Sequence, residues 1–177
     1  NSQAIKIKQG KIKNIKINGK KFLKPINFKI PGDPSSAAFF TALTLLNDRS
    51  SIVIKNVGLN KTRIGFYELL KKHGAKISFK KLKKSHNEIY GDIHVKSSVL
   101  KPIKANEDYY VKSTDEYPIL FVIAALTKGV SVFKGIGDLA NKESNRIEEM
   151  QRVIKQIGIK SISKKNEIKI FGNRKIL

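Results

Sequence analysis

Ile54-Lys55-Asn56-Val57-Gly58 is answered by Phe133-Lys134-Gly135-Ile136-Gly137, in step at an offset of 79 residues from Gly58 to Gly137. The same order of patterns runs outward from both copies. Upstream of the first, Asp33-Pro34-Ser35 reads as a capped helix start with Pro in the first turn, leading into the apolar stretch Ala37 to Leu46. Downstream, Thr62 to about Lys72 reads as an amphipathic helix stopped by Gly74, followed by β-like pieces near Lys76 to Lys80, Glu88 to Lys96 and Tyr109 to Lys112. Around the second copy, Asp115 to Leu126 predicts another apolar helix and Val130 to Lys134 a strand. Ser144 to Ile157 predicts an amphipathic helix, and Ile159 to Ile162 with Glu167 to Phe171 closing strands. The helix stops Gly74 and Gly158 lie 84 apart, so about five residues enter the second loop. The expectation is an α/β (α+β) fold of repeated βαβαββ units of about 80 residues, with mixed sheets and buried helices. A single unit cannot cover both faces of its sheet, so helices packing between units should form the core.

Ahead of the repeats, residues 4 to 30 read as strands separated by the turn signals Gln9-Gly10 and Asn18-Gly19, with Pro25 limiting any central strand. The alternation in Ile5-Lys6-Ile7-Lys8 and Lys13-Asn14-Ile15-Lys16-Ile17 suits half-buried strands with a lysine-rich solvent face. At 177 residues and 40% hydrophobic content the chain can bury a sizeable core. With no cysteine, disulfide frameworks and thiolate metal sites are excluded, in keeping with a reducing compartment. The longest apolar run, Ile119 to Leu126, is too short to span a bilayer, and no secretory signal is visible, so a soluble cytoplasmic protein is expected.

The net charge of +22 raises nucleic acid as a partner. Only five of the 36 basic residues are arginine, however, and the lysines are spread over every predicted element rather than gathered into a stripe. An abundance of Lys, Ile and Asn accounts for the charge without a specific nucleic-acid site, and a basic nucleic-acid-binding module stands as the alternative class. His73, His86 and His94 show no metal-ligand spacing, and Gly135 and Gly137 lack the third glycine of a dinucleotide fingerprint. No metal and no cofactor are expected.

The segment Asn141-Lys142-Glu143-Ser144-Asn145-Arg146 is electrostatically unusual: two cations four residues apart stand at the start of a helical pattern, where the dipole favours anions. A bound anion between them would remove the conflict. Solvated surface cations remain the plain reading of Lys142 and Arg146. Read alone, Asp115, Glu116 and Glu143 fit first-turn acids that complement a helix dipole. Asp33, Ser35 and Ser36 fit a helix cap, and Arg63 fits a structural partner of an acidic group.

Three segments together carry a resemblance. Pro31-Gly32-Asp33-Pro34-Ser35-Ser36-Ala37, Asp115-Glu116-Tyr117-Pro118 and Lys142-Glu143-Ser144-Asn145-Arg146 occur in the order and approximate spacing of the 5-enolpyruvylshikimate-3-phosphate synthase family. Asn60-Lys61-Thr62-Arg63-Ile64-Gly65 resembles that family's Asn-Pro-Thr-Arg-x-Gly, and the likeness runs from about Gly10 to Gly172. The UDP-N-acetylglucosamine enolpyruvyl transferases share the fold but typically lack the Lys-Glu-Ser-Asp-Arg pattern.

The resemblance implies the enolpyruvyl transferase fold, with two domains of three repeats each and an active site in the cleft between them. Residues 1–30 would be terminal strands of one domain and the crossover, and residues 31–177 two of the three repeats of the other. The implied activity is that of a 3-phosphoshikimate 1-carboxyvinyltransferase of the shikimate pathway, which supplies aromatic amino acids. It joins phosphoenolpyruvate to shikimate 3-phosphate and releases phosphate. Asp115 matches the residue that binds the shikimate hydroxyls and accepts a proton, and Glu143 the candidate proton donor at the phosphoenolpyruvate methylene. Lys142 matches a ligand of shikimate 3-phosphate, and Arg146 the arginine on phosphoenolpyruvate, where a planar fork suits a carboxylate. The family's N-terminal Lys and Ser-x-x-x-Arg, its Ser-Ala-Gln segment and its C-terminal Arg and Lys contacts have no match here. The resemblance therefore implies a fragment that is inactive alone, whose partners are the two substrates and the remaining segments of the same enzyme, with no specific nucleic acid and no membrane. An exposed apolar helix face is expected where a third repeat would pack.

Overall fold

The computed structural model describes residues 5–7, 15–17, 25, 27, 29–142 and 144–173. Strands β1 (Ile5–Ile7) and β2 (Ile15–Ile17) pair antiparallel, with Ile5 opposite Ile17, in a two-stranded sheet of their own. The turn signals Gln9-Gly10 and Asn18-Gly19 lie outside the described residues.

The first repeat begins with α1 (Pro34–Leu46). Asp33 caps it as the sequence predicts: its extended backbone lets the carboxylate accept the Ser36 N–H at 2.8 Å, and Pro34 needs no hydrogen-bond acceptor at the first position. There follow β3 (Ser51–Gly58), α2 (Gly65–Lys72), β4 (Lys76–Ser85) and β5 (Glu88–Lys96), the strands ordered β3-β5-β4 in an antiparallel sheet. The second repeat comprises β6 (Lys104–Ala105), α3 (Glu107–Val111), a 3-10 turn (Thr114–Glu116), α4 (Tyr117–Ala125), β7 (Gly129–Lys134), a 3-10 turn (Gly137–Asn141), α5 (Arg146–Gln156), β8 (Lys160–Lys164) and β9 (Glu167–Gly172). Its sheet runs β6-β7-β9-β8, so β7, β9 and β8 repeat the order of β3, β5 and β4. Even the parallel edge recurs, as β6 against β7 in one unit and as a single Gly32–Val57 bridge in the other.

Backbone conformation repeats with the same fidelity. Gly74 and Gly158 both take left-handed φ values just past α2 and α5, which ends each helix where the sequence places a stop. Asn56 and Gly135 occupy one position of the 79-residue offset, and both have positive φ, +54° and +75°. Asparagine tolerates that region and glycine enters it freely.

Differences from the sequence reading have local causes. Tyr109 to Val111 belongs to helix α3 and Lys112 is its C-cap, and none of them is in a strand. Asn106 stands at its N-cap, Glu107 and Asp108 fill its first turn, and Tyr110 is buried with its ring 5.2 Å from that of Tyr117. Helix-start signals and one tertiary contact outweigh the β preference of the aromatic pair. Helix α2 starts at Gly65, after a turn in which Thr62 N–H bonds the Asn60 side chain. Helix α5 starts at Arg146, with Asn145 as N-cap accepting from Glu148 N–H and the acids Glu148 and Glu149 in its first turn.

Both units share a core centred on α4, which is hydrophobic all round and therefore must be buried. It packs against α1 on one side and against α5 and β9 on the other. The expected exposed helix face is found on α1 and not on α4: Phe39, Phe40 and Leu43 are 65%, 55% and 62% exposed, whereas among α4 residues Pro118 and Val122 alone are more than slightly exposed. Among the described residues no helix is long and apolar enough to cross a membrane.

In the first sheet, β5 is flanked by two bulges, one between Ile54 and Val57 on β3 and one between Lys80 and Lys83 on β4. Asp92 serves both, accepting the Asn56 N–H at 3.1 Å and lying 3.6 Å from Lys81 Nζ. The Asn56 hydrogen bond, with the Lys81 charge behind it, holds the Asp92 carboxyl below its ordinary value of 3.8. Such a group stabilises the fold above its unfolded-state value and loses that contribution as pH falls through the depressed folded-state value. Asp92→Asn, which keeps the acceptor for Asn56 but cannot titrate, is expected to lower the urea midpoint at neutral pH and to shrink the loss of stability below pH 3.8. Equal acid limbs for variant and parent would contradict this role for Asp92.

Candidate active site

The chain ends of both repeats' central helices gather the residues singled out by the motifs. Asp115 lies in the 3-10 turn that leads into α4, and Arg146 is the first residue of α5. Their side chains meet, Arg146 Nη1 to Asp115 Oδ1 at 3.7 Å, across 31 residues of sequence, with the carboxylate 68% exposed and the guanidinium 27%. Lys142 does not belong to α5. It follows the Gly137–Asn141 turn with extended backbone, and its ammonium pairs at 3.0 Å with Asp138, four residues back. The two cations therefore do not crowd one helix start. Arg146 alone stands at the α5 N-terminus, and Glu148 and Glu149 answer the dipole there.

Asp138 is a residue that the motif reading does not single out. Its Oδ2 accepts from Tyr110 Oη at 3.0 Å as well as from Lys142. The Lys142 and Tyr110 hydrogen bonds hold its carboxyl below the usual range. Burial, then the Asp138 hydrogen bond, pushes the Tyr110 hydroxyl up to about 12, against the nearby positive charge of Arg146. An i, i+4 acid–lysine pair was readable at Asp138 and Lys142. Tyr110 was not, because it is positioned by a helix that the sequence reading takes for a strand. Glu143, the candidate proton donor, lies outside the described residues.

A second group lies beside Asp115. Arg63 Nη2 donates to Asp33 Oδ1 at 3.3 Å and to Ser35 Oγ at 3.1 Å, so Arg63 and Asp33 have the structural roles expected of them. Ser35 Oγ in turn donates to Glu116 Oε1 at 2.5 Å. This last bond joins the two repeats, and no local spacing announces it. Burial counts against ionisation of Asp33, but the Ser36 and Ser35 hydrogen bonds and the Arg63 charge outweigh it and bring the carboxyl below its ordinary value.

Chemically, the arrangement offers two cations of different kind, each beside a carboxylate that an incoming anion could displace. Ion pairs near the surface contribute little to stability, so exchange for a phosphate or carboxylate ligand costs little. Asp115 stays beside the arginine as a solvent-accessible carboxylate. Away from these residues, a concavity of about 270 Å³ lies between the opposite ends of α1 and α4, around Leu46, Val99 and Thr127.

Comparison with known proteins identifies the family of the chain. The family model described as EPSP synthase (3-phosphoshikimate 1-carboxyvinyltransferase) matches residues 1–176. The 3-phosphoshikimate 1-carboxyvinyltransferase of Zymomonas mobilis is 38% identical over 162 residues, covering 92% of this chain and 36% of that protein. The protein of the same name from Petrotoga mobilis is 40% identical over 149 residues, covering 84% of this chain and 34% of that one. Among solved structures, the EPSP synthase from Acinetobacter baumannii superposes with a TM-score of 0.86 at 35% identity, over 97% of this chain and 38% of that one. The chain spans about a third of the length of the curated relatives it matches. With nearly every residue inside the family match and the same fold in a solved relative, the chain belongs to the EPSP synthase family.

Proposed function

We propose that this protein is part of an enolpyruvyl transferase of the shikimate pathway, active in the cytoplasm, and that its 177 residues supply one wall of the active site. In this reading residues 1–30 are terminal strands of one domain with the crossover, and residues 31–177 are two of the three repeats of the other. The reaction joins phosphoenolpyruvate to the 5-hydroxyl of shikimate 3-phosphate and releases phosphate. One observation carries the reading: Asp115 and Arg146, from two distant motifs, come within 3.7 Å at the head of the central helices.

The chemistry needs an acid and a base on different reactants. As the shikimate hydroxyl attacks the enol carbon it must lose a proton, and the methylene carbon must gain one. Asp115, exposed beside Arg146, is suited to accept the hydroxyl proton. Glu143 is assigned the methylene proton on its place in the motif alone. Lys142 would exchange Asp138 for the phosphate of shikimate 3-phosphate. Arg146 would exchange part of its contact with Asp115 for the phosphoenolpyruvate carboxylate, where two parallel N–H donors fit two oxygens.

The opposing wall would come from the remaining segments of the same enzyme. The purified chain given both substrates is therefore expected to release no phosphate above background. Adding the separately produced complementary segments of the Zymomonas mobilis relative is expected to restore release. Turnover by the chain alone would overturn the divided-site reading.

A further inference from the structure

Glu116 is a buried carboxyl that the chemistry above does not use. It is 2% exposed, next in sequence to Asp115, and its Oε1 accepts the Ser35 hydroxyl at 2.5 Å across 81 residues. Ser35 is itself held by Arg63, whose guanidinium also grips Asp33, the cap of α1. The hydrogen bonds run in one direction, Arg63 N–H to Ser35 Oγ and Ser35 O–H to Glu116, so Glu116 is the terminal acceptor of a chain that starts in the first repeat. By contrast, the backbone of the turn that carries Asp115 is closed by local bonds, among them Glu116 N–H to Ser113 O at 3.0 Å and Thr114 Oγ1 to Tyr110 O at 2.9 Å. These shape the turn without fixing where it stands against α1.

We propose that Glu116, anchored through Ser35 and Arg63, is a positioning residue that fixes the Thr114–Glu116 turn and thereby holds Asp115 against Arg146. A buried carboxyl is a costly way to fasten a turn. Burial pushes its titration above the usual range, against the Ser35 hydrogen bond and the Arg63 charge. An apolar side chain would fill the same space without that cost but would take away the acceptor of the Ser35 O–H and leave the turn unfastened. The catalytic consequence rests on the reading of Asp115 as proton acceptor, but the holding itself is a property of the folded chain.

The test uses NMR of the 177-residue chain, with the Arg146 Nε–H signal as reporter, assigned by its loss in R146K. Asp115→Asn supplies the reference for an arginine without its carboxylate. In Ser35→Ala and Glu116→Ala the Arg146 signal is expected to move at least half of the way to that reference. In Glu116→Gln, which keeps an oxygen for Ser35, it is expected to stay at the parent position. Ser35→Ala, a smaller change at a half-buried position in the first turn of α1, keeps the test decisive should Glu116→Ala unfold. An Arg146 signal unmoved in folded Ser35→Ala would overturn the proposal, as would a Glu116→Gln shift as large as that of Glu116→Ala. A parent chain that fails to respond to added shikimate 3-phosphate would count against the substrate reading and leave these shifts unaffected, so the two failures are separable.

Discussion

Phe121→Ala is expected to cost about 3–5 kcal/mol, the usual range for removing a large aromatic side chain from a packed core. Phe121 is fully buried in the middle of α4, with its ring centre 5.0 Å from that of Phe133 and 5.9 Å from that of Tyr117, both edge to face. Phe133 and Tyr117 also touch each other, so the three rings form a closed cluster that joins α4 to β7. Little can move in to fill the space. The helix is clamped at its far end, where a Cβ on Gly172 would overlap the carbonyl oxygens of Ala124 and Thr127. Domains of this kind are stable by only about 5–15 kcal/mol, so the variant should be largely unfolded in mild urea. Equilibrium urea unfolding at unchanged slope measures the loss. A loss below about 1 kcal/mol would mean that α4 is not the centre of the core.

The second large effect concerns association. Phe39, Phe40 and Leu43 lie at i, i+1 and i+4 on one side of α1 and together expose a contiguous apolar face. Burying each of these side chains is worth about 1.5–3 kcal/mol, enough to drive pairing of an isolated chain. The 177-residue chain is expected to self-associate at micromolar concentration in sedimentation velocity, and Phe39→Ser, Phe40→Ser and Leu43→Ser combined should return it to monomer. A parent chain that sediments as monomer throughout would contradict an unsatisfied α1 face. The sequence reading expects such a face without saying which apolar helix carries it. Composition alone does not tell α1 from α4, because both are apolar all round. Only the packing of α1, α5 and β9 about α4 decides which of them is enclosed.

What was legible in the sequence was local. The Asp33 cap, the glycine stops at Gly74 and Gly158, and the in-step strands around Gly58 and Gly137 each depend on a few adjacent residues, and each appears where the pattern puts it. The motif residues Asp115 and Arg146 were legible through their family likeness, and their approach is what the fold adds. Tyr110 on Asp138 and Ser35 on Glu116 were not legible, since 28 and 81 residues separate the partners and neither bond repeats between units. Lys142 shows the cost of extending a helical pattern too far: two residues of difference in the start of α5 turn a dipole conflict into an ordinary ion pair.

The central claim is that Asp115, Lys142 and Arg146 form one wall of a shikimate 3-phosphate and phosphoenolpyruvate site. The most direct measurement is a titration of isotope-labelled chain with shikimate 3-phosphate, followed at the backbone and side-chain signals of these residues. The account predicts saturable shifts centred on Lys142 and Asp115, lost in Lys142→Ala and retained in Phe39→Ser. The absence of any saturable shift at these residues, or shifts of equal size in Lys142→Ala, would contradict it.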